Sequence, residues 1–429
     1  MAHYHHNNLA QIEVPRVYAW VVFAFTFGLL ISDYMSRQVL NAVFPLLKAE
    51  WSITDAQLGS LSGIVALMVA LLTVPLSLLA DRWGRVKSLT LMALLWSVAT
   101  VLCGLSESYG QMFGARFLVG VGEAAYGSVG VALALSVFPS SMRATISASF
   151  MAGGMFGSVL GIALGGIVAA AFGWRWAFAF MGMFGLVLAL VFPLVVRQDK
   201  LGARQQASTT HLSRPSLLGL VNNRSVICAY VGSGLQLFVA AALMSWIPSF
   251  MNRYYGMATD KAGMVAGVFV LIGGVGMVVC GMLSDRLCRN RPERKIALAI
   301  GICLVCFLLL SVGFRLPAGQ AQMLLLALGM FLVAGTSGPA GAMVANLTHP
   351  AISGTAFATL TLVNNILGMA PGPFFTGVLA DRLGLDQALA LVPLMGLASA
   401  AAFLYARRHY LGDQIRAHSY LGKESITPQ

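Results

Sequence analysis

Long apolar stretches recur along the whole chain, and short polar segments separate them. Each stretch is close to the roughly 20 residues that an α-helix needs to cross a bilayer. The predicted spans are residues 17–41, 56–80, 88–106, 111–138, 144–172, 175–196, 223–251, 262–284, 296–314, 321–346, 352–380 and 387–406. The pattern therefore predicts an all-α membrane protein with twelve transmembrane helices.

One polar segment between the sixth and seventh spans is much longer than the others and has the composition of a linker, with Gln205-Gln206 and Ser208-Thr209-Thr210 in its middle. It divides the spans into two sets of six. The predicted organisation is an N-terminal six-helix bundle at 1–197, a cytoplasmic linker at 198–222, a C-terminal six-helix bundle at 223–408 and a cytoplasmic tail at 409–429.

The segment that follows the second span is repeated in the second half. Leu79–Arg85 reads LADRWGR, and Leu283–Arg289, after the eighth span, reads LSDRLCR. A third partial copy, Gly377–Gly384, ends the eleventh span. Two six-helix bundles in parallel repeat resemble the arrangement of secondary transporters, and this resemblance implies a substrate site at mid-membrane, between the halves.

Composition agrees with the span pattern and indicates an orientation. Hydrophobic residues make up 58% of the chain and charged residues only 10%, which no soluble surface allows. With a cytoplasmic N-terminus, 19 of the 27 Lys and Arg residues fall on the cytoplasmic side, so both termini are expected there. This bias and an affinity for lipid headgroups account for the +12 charge, and no nucleic-acid partner is expected.

Four charged residues lie inside predicted spans away from the terminal positions, and a charge at the centre of a span costs roughly 2.5–3.5 kcal/mol on the insertion scale. Asp33 and Arg37 are one turn apart in the first span, while Arg116 and Glu123 are two turns apart in the fourth. All four are expected to face the protein interior. They indicate a functional centre, and a static structural ion network is the alternative.

Other kinds of chemistry have little support. The pair Cys303 and Cys306 lies in an apolar span without a second pair or a nearby histidine, so it indicates packing. Six of the seven histidines lie in the tails or the linker, and His349 is at a span end, so no metal site is expected. Neither a nucleophile with a base nor a metal-ligand set supports a hydrolase. A receptor or scaffold would not need the buried charges or the repeated loops.

The repeated loops resemble the Gly-x-Leu-Ala-Asp-Arg-x-Gly-Arg-Lys motif of the major facilitator superfamily. Ser77 stands at the first glycine, and Val86 intervenes before Lys87. The resemblance implies the major facilitator fold, and clustered charges in such loops can latch one conformation. The residues expected to act in conformational gating are Asp81, Arg82, Arg85, Asp285, Arg286 and Arg289.

A narrower resemblance lies in the fourth span. Gly114–Ala124, GARFLVGVGEA, is similar to the fourth helix of the anion:cation symporter family and of Spinster-like transporters. The resemblance implies that Arg116 and Glu123 handle protons and bind the acidic group of the substrate. Arg37 matches the family's first-helix arginine, but Ser36 precedes it where the family has an acid. Asp33 is the nearest substitute.

These residues suggest a transport cycle. Glu123 is the expected proton carrier, Arg116 pairs with it when it is ionised, Asp33 shares that duty or orients Arg37, and Arg37 binds a substrate carboxylate. Further candidates for substrate contact are Tyr34, Tyr126, Gln236, Asn346, Asn364 and Asn365. The last two lie in the eleventh span, where Pro371 and Pro373 predict a broken helix.

The expected function is therefore proton-coupled symport, by alternating access, of a small organic anion such as a sugar acid or aromatic carboxylate. The alternative is a proton-linked exporter of an amphipathic drug or lysolipid. We expect a monomer in a bacterial inner membrane that uses the proton gradient and no cofactor. The partners are the anion, protons and membrane lipids.

Overall fold

The computed structural model describes residues 15–198, 223–288, 294–348 and 353–424, and these residues are mostly helical and contain no β-strand. The helices are α1 Arg16–Trp51, α2 Asp55–Trp83, α3 Arg85–Gly104, α4 Tyr109–Glu123, α5 Tyr126–Ser136, α6 Arg143–Phe172, α7 Trp174–Val195, α8 Arg224–Tyr255, α9 Thr259–Leu287, α10 Arg294–Gly313, α11 Gln320–Val333, α12 Ser337–Leu347, α13 Ser353–Asn364, α14 Pro371–Leu383, α15 Leu385–Leu391 and α16 Leu394–Glu424. Within the described residues, eleven helical segments are long and apolar enough to cross a membrane. The segment formed by α13, a π-helical turn and α14 is the twelfth crossing, in agreement with the predicted all-α membrane fold.

The fourth and tenth crossings are each built from two helices, α4 with α5 and α11 with α12. A helix break frees backbone carbonyl groups that need a partner inside a membrane. The Thr73 hydroxyl donates to the Ala124 carbonyl at 2.7 Å, and the Gln236 amide donates to the Val333 carbonyl at 3.2 Å. The two halves therefore share a broken helix at equivalent places, each with a side chain of a neighbouring helix on a carbonyl at the break.

The eleventh crossing is interrupted, as its sequence predicts. α13 ends at Asn364, a π-helical turn covers Asn365–Met369, and α14 begins at Pro371. Proline suits the first position of a helix because the amide that it lacks would have no intrahelical partner there.

A row of glycines on α6 brings this helix against α1. A Cβ added at Gly157 would lie 2.6 Å from the Ile31 carbonyl oxygen, and one at Gly161 would lie 2.8 Å from the Cα of Met35. Only glycine allows two backbones to approach so closely. This contact fixes the part of α1 that carries Asp33 and Arg37.

Hydrogen bonds between the two six-helix halves are concentrated at one end of the molecule, here called the closed end. There α2 begins, α8 ends, and Asp55 of the first half meets Arg253 of the second. The loops that carry Asp81 and Asp285 lie at the opposite end, here called the open end. The halves are thus joined on one side of the membrane.

Two predicted boundaries fall at the limits of the description. The linker, apart from Gln198, lies outside the described residues. α16 continues to Glu424, so the segment predicted as a tail from residue 409 begins inside this helix. Asp413 is buried and accepts hydrogen bonds from the Ser225 amide at 3.0 Å and its hydroxyl at 2.7 Å, which docks the end of α16 on the start of α8.

Candidate substrate and proton site

Arg37 is the centre of a buried cluster between α1 and α4. Its Nε donates to Glu123 Oε2 at 3.0 Å, its Nη2 lies 2.9 Å from the same oxygen, and Nη2 is 3.7 Å from Asp33 Oδ1. Asp33 and Arg37 share one helix face, as their spacing predicts. The structure therefore brings Asp33, Arg37 and Glu123 together.

The cluster holds two carboxyl groups for one guanidinium. The side chains of Asp33 and Glu123 are 4% and 0% exposed, and that of Arg37 is 14% exposed. Asp33 Oδ1 and Glu123 Oε1 are both buried without a hydrogen-bond donor. Arg116, the other buried guanidinium nearby, is bound to backbone carbonyl groups, so among the described basic residues Arg37 alone contacts the two carboxylates. A proton on one of them relieves the repulsion between two carboxylates in a poorly solvated site. The geometry is thus suited to hold a proton.

Arg116 is not the partner of Glu123 in this structure, although its spacing on α4 suggested that pair. Its Nη1 donates to the Ser36 carbonyl at 3.0 Å, Nη2 to the Arg37 carbonyl at 3.2 Å and Nε to the Leu61 carbonyl at 3.2 Å. The residue is 0% exposed. Arg37 takes the place beside Glu123, while Arg116 ties α4 to the backbones of α1 and α2.

Tyr34 is the aromatic residue of the cluster. The guanidinium carbon of Arg37 lies 5.3 Å from the centroid of its ring, a distance typical of a cation–π contact. Both residues are half-buried, whereas Asp33 and Glu123 are buried. Tyr34 and Arg37 are therefore the members of the cluster that a ligand can reach in this state.

Two other candidates are enclosed by protein. Tyr126 is 0% exposed, donates its hydroxyl to the Thr26 carbonyl at 2.7 Å and packs against Trp96. Gln236 is 1% exposed and binds the broken tenth crossing through Val333. These side chains join helices within one half, so a ligand does not reach them in this structure.

The three asparagines lie on the second half. Asn364 and Asn365 are half-buried at the π-helical turn, and Asn346 is exposed on α12. The Asn365 amide donates to the Thr361 carbonyl at 2.9 Å, while the Asn364 Oδ1 is buried without a donor. Asn364 thus retains unused hydrogen-bonding capacity.

The loops expected to gate the transporter lie at the open end. Asp81 and Arg82 are exposed and form no ion pair within the described chain, whereas Arg85 donates to the Ala132 carbonyl at 3.2 Å. In the second copy, Asp285 pairs with Lys295 at 2.6 Å. Arg286 is exposed, and Arg289 lies outside the described residues.

A junction at the closed end was not predicted from the sequence. Asp55 binds Lys48 at 2.7 Å and Arg253 at 2.7 and 2.8 Å. The carboxylate of Asp381 accepts the amides of Asp55 at 2.7 Å and Ala56 at 2.9 Å, so it caps the start of α2 from the other half. In the sequence, this junction is visible only as charged residues at the ends of spans. Charged residues also occur at ordinary membrane boundaries, so they do not identify the junction.

Among the described residues, no group of three His, Cys, Asp or Glu side chains is placed to hold a metal ion.

Comparisons with known proteins agree with this architecture. The model of the Major Facilitator Superfamily matches residues 26–373. The "Sphingosine-1-phosphate transporter SPNS2" of Danio rerio is 24% identical over 99% of this chain and 90% of its own. The "Probable L-galactonate transporter" of Escherichia coli (strain K12) is 24% identical over 94% of this chain and 92% of its own.

A solved structure has the same fold. It is that of a bacterial homologue of the human lysosomal transporter Spinster in an inward-facing, unoccupied conformation, with a TM-score of 0.82 and 20% identity, covering 93% of this chain and 98% of that one. Together with the family match, this likeness confirms the resemblance to Spinster-like transporters and indicates a transporter rather than an enzyme. The chain belongs to the Major Facilitator Superfamily.

Proposed function

We propose that this transporter couples the inward movement of protons to the uptake of a small organic anion, such as a sugar acid or aromatic carboxylate. The observation that carries the proposal is the contact of Arg37 with Glu123 at 2.9 Å and with Asp33 at 3.7 Å. The guanidinium of Arg37 contacts a buried acid on one side and can be reached by a ligand on the other.

The sharing of Arg37 sets the sign of the coupling. While Glu123 is ionised, it neutralises the guanidinium and competes with any incoming anion. When Glu123 takes up a proton, Arg37 is released and can bind the substrate's acidic group with its planar pair of N–H donors. Proton and anion therefore favour each other's binding, which is the requirement for symport.

The roles of the other residues follow from their positions. Asp33 holds the second exchangeable proton or orients Arg37, and Tyr34 lines the ligand side of the guanidinium. Arg116 acts on the proton site indirectly, because it fixes the backbone at Ser36 and Arg37. Asn364 is the proposed contact from the second half, because the residue is half-buried and its side-chain oxygen lacks a hydrogen-bond donor.

The positive-inside distribution of Lys and Arg supports a bacterial inner membrane with both termini in the cytoplasm. With that orientation, the Asp55 junction is on the outer side and the loops of Asp81 and Asp285 are on the cytoplasmic side. The closed end then faces outward, so the structure corresponds to an inward-facing state. The protein acts as a monomer that needs no cofactor beyond the proton gradient.

Export of an amphipathic molecule that carries an acidic group, such as a lysolipid, is the second candidate. It is favoured by the relative named as a sphingosine-1-phosphate transporter, just as uptake of a sugar acid is favoured by the relative named as an L-galactonate transporter. Both candidates place an acidic group on Arg37. They differ in the size of the apolar part of the substrate and in the direction of transport.

Proteoliposomes with the purified full chain distinguish the candidates. Labelled sugar acids, aromatic carboxylates and a lysophospholipid are offered with and without an inward proton gradient. Uptake of a small carboxylate that rises with the gradient supports symport. Transport of the lysophospholipid without transport of any small carboxylate favours the second candidate. If the proton gradient changes the transport of none of these anions, both candidates are refuted.

A further inference from the structure

A basic hollow lies at the open end, where the loop between α2 and α3 meets the end of α7. It measures about 640 Å³, and its lining includes Arg82, Lys87 and Arg197 together with Asp81. The three basic side chains are exposed, and none forms an ion pair within the described part of the chain. Three cations against one carboxylate leave a positive site with charge available for an anionic ligand.

An apolar groove of about 170 Å³ continues from this hollow along α2, α3 and α4. Trp83 and Leu91 line both the groove and the hollow. Further along, the groove is lined by Leu79 and Leu95, and Trp83 is 56% exposed. A long apolar surface therefore starts where the positive charges end.

This sequence of charge followed by apolar surface matches the chemistry of a membrane lipid. Basic clusters at the end of a transmembrane helix attract anionic headgroups, and tryptophan prefers the level of the headgroups. Free phosphate would use the basic hollow and leave the groove empty. A zwitterionic phospholipid such as phosphatidylcholine also carries a phosphate, but its quaternary ammonium group adds a positive charge to a site where cations already outnumber carboxylates.

We propose that the hollow and the groove together hold one anionic glycerophospholipid of the adjacent leaflet. Its phosphate lies between Arg82, Lys87 and Arg197, and one acyl chain follows Leu91 and Leu95. The carboxylate of Asp81 accepts hydrogen bonds and donates none, so its partner on the lipid must be a donor. A headgroup with free hydroxyl groups, as in phosphatidylglycerol, therefore fits best.

A bound lipid would connect two segments that already touch. The Val86 amide donates to the Gln198 side-chain oxygen at 3.2 Å, which joins the loop after α2 to the segment after α7. A phosphate shared by Lys87 and Arg197 reinforces this joint with charge-assisted hydrogen bonds. The site is separate from the Arg37 cluster and does not depend on the transported substrate.

Native mass spectrometry of the full chain, titrated with phosphatidylglycerol, phosphatidylcholine of the same chain length or glycerol 3-phosphate, tests the proposal. We expect one tightly retained phosphatidylglycerol. The double variant Arg82→Gln/Lys87→Gln should weaken its retention about 25-fold, because each basic residue near an anionic lipid contributes a factor of about five. The retention of phosphatidylcholine should not change.

The matched control is Arg407→Gln/Arg408→Gln, which removes two exposed charges from α16 in the other half and should change retention less than twofold. Brominated phosphatidylglycerol locates the lipid, since it should quench wild-type fluorescence saturably and the Trp83→Phe variant clearly less. The proposal would be overturned if both double variants lost phosphatidylglycerol to the same extent, or if the wild type retained phosphatidylcholine as tightly as phosphatidylglycerol. It would also be overturned if glycerol 3-phosphate bound as tightly as phosphatidylglycerol.

Discussion

Arg253 of the second half holds Asp55 of the first half through two contacts of 2.8 and 2.7 Å. The Asp55 side chain is 3% exposed, so its hydrogen bonds are shielded from water. This pair closes one end of the molecule, and we expect it to stabilise the state described here over the state that opens at that end.

The variant Arg253→Gln tests this junction. A hydrogen bond to a charged group contributes roughly 1.5–3 kcal/mol, so its loss should shift the equilibrium between the two states about ten- to a hundredfold towards opening at the Asp55 end. Distances between spin labels across that end measure the shift. Lys48→Gln is the control, because Lys48 contacts Asp55 within the same half and should leave the distances unchanged.

The variant Glu123→Gln should abolish accumulation driven by a proton gradient and retain exchange of substrate across the membrane. The amide cannot take up a proton, but it leaves Arg37 available to the anion. Counterflow and gradient-driven uptake, measured in the same proteoliposomes, separate the two activities. Loss of both would assign Glu123 a binding or structural role, and Asp33→Asn should alter the number of protons per anion instead.

The variant Arg37→Lys should raise the KM for exchange by about tenfold or more, because lysine keeps the charge and loses the planar fork that binds a carboxylate with two hydrogen bonds. Initial rates at graded substrate concentrations measure the effect. Tyr34→Phe preserves the ring beside the guanidinium and is expected to stay close to wild type. An unchanged KM in Arg37→Lys would mean that the guanidinium does not bind the anion.

The variant Arg116→Leu should lower the stability of the folded protein, because it removes three hydrogen bonds from a buried charged group to backbone carbonyls of two neighbouring helices. Hydrogen bonds to charged groups contribute roughly 1.5–3 kcal/mol each. Thermal unfolding in detergent, followed by fluorescence, measures the loss. Arg116→Lys restores the charge and part of the hydrogen bonding. If that variant unfolds like wild type but no longer couples protons to transport, Arg116 handles the proton directly, as its resemblance to the symporters implied.

The variant Gly157→Ala should move α6 away from α1, because the new Cβ would lie 2.6 Å from the Ile31 carbonyl oxygen and 2.8 Å from the Cβ of Tyr34. We expect lower thermal stability and weaker exchange. Gly114→Ala is the matched control, since nothing lies within 4 Å of its added Cβ and alanine is the better helix former. Equal effects of both substitutions would contradict the close-packing interpretation.

Much of the fold follows from the order of residues in the sequence. Span length, the repeated Asp-Arg loops and the prolines after Asn365 are local signals, and the twelve crossings and the interrupted eleventh crossing agree with them. Glycines spaced four apart on α6 are typical of a close helix contact, but that α1 is the partner is seen only in the structure.

The candidate site was only partly predictable. Spacing places Asp33 with Arg37 on one face, but the choice between Arg37 and Arg116 as the partner of Glu123 depends on how α1 and α4 are rotated against each other. Such rotations are set by packing over many residues. The same reason explains why Tyr126, expected beside a substrate, instead faces Thr26.

The broken crossings have a consequence for the division of labour between the duplicated halves. In the first half, the helix before the break ends at Glu123, whereas in the second half the corresponding helix ends at the apolar Val333. Asp413 is the buried acid of the described second half, and it lies at the end of the bundle. Under the proposed mechanism, protonation changes the charge of one half alone. The proton therefore acts on the contact between the halves from the first half, and the second half responds without a change in its own charge.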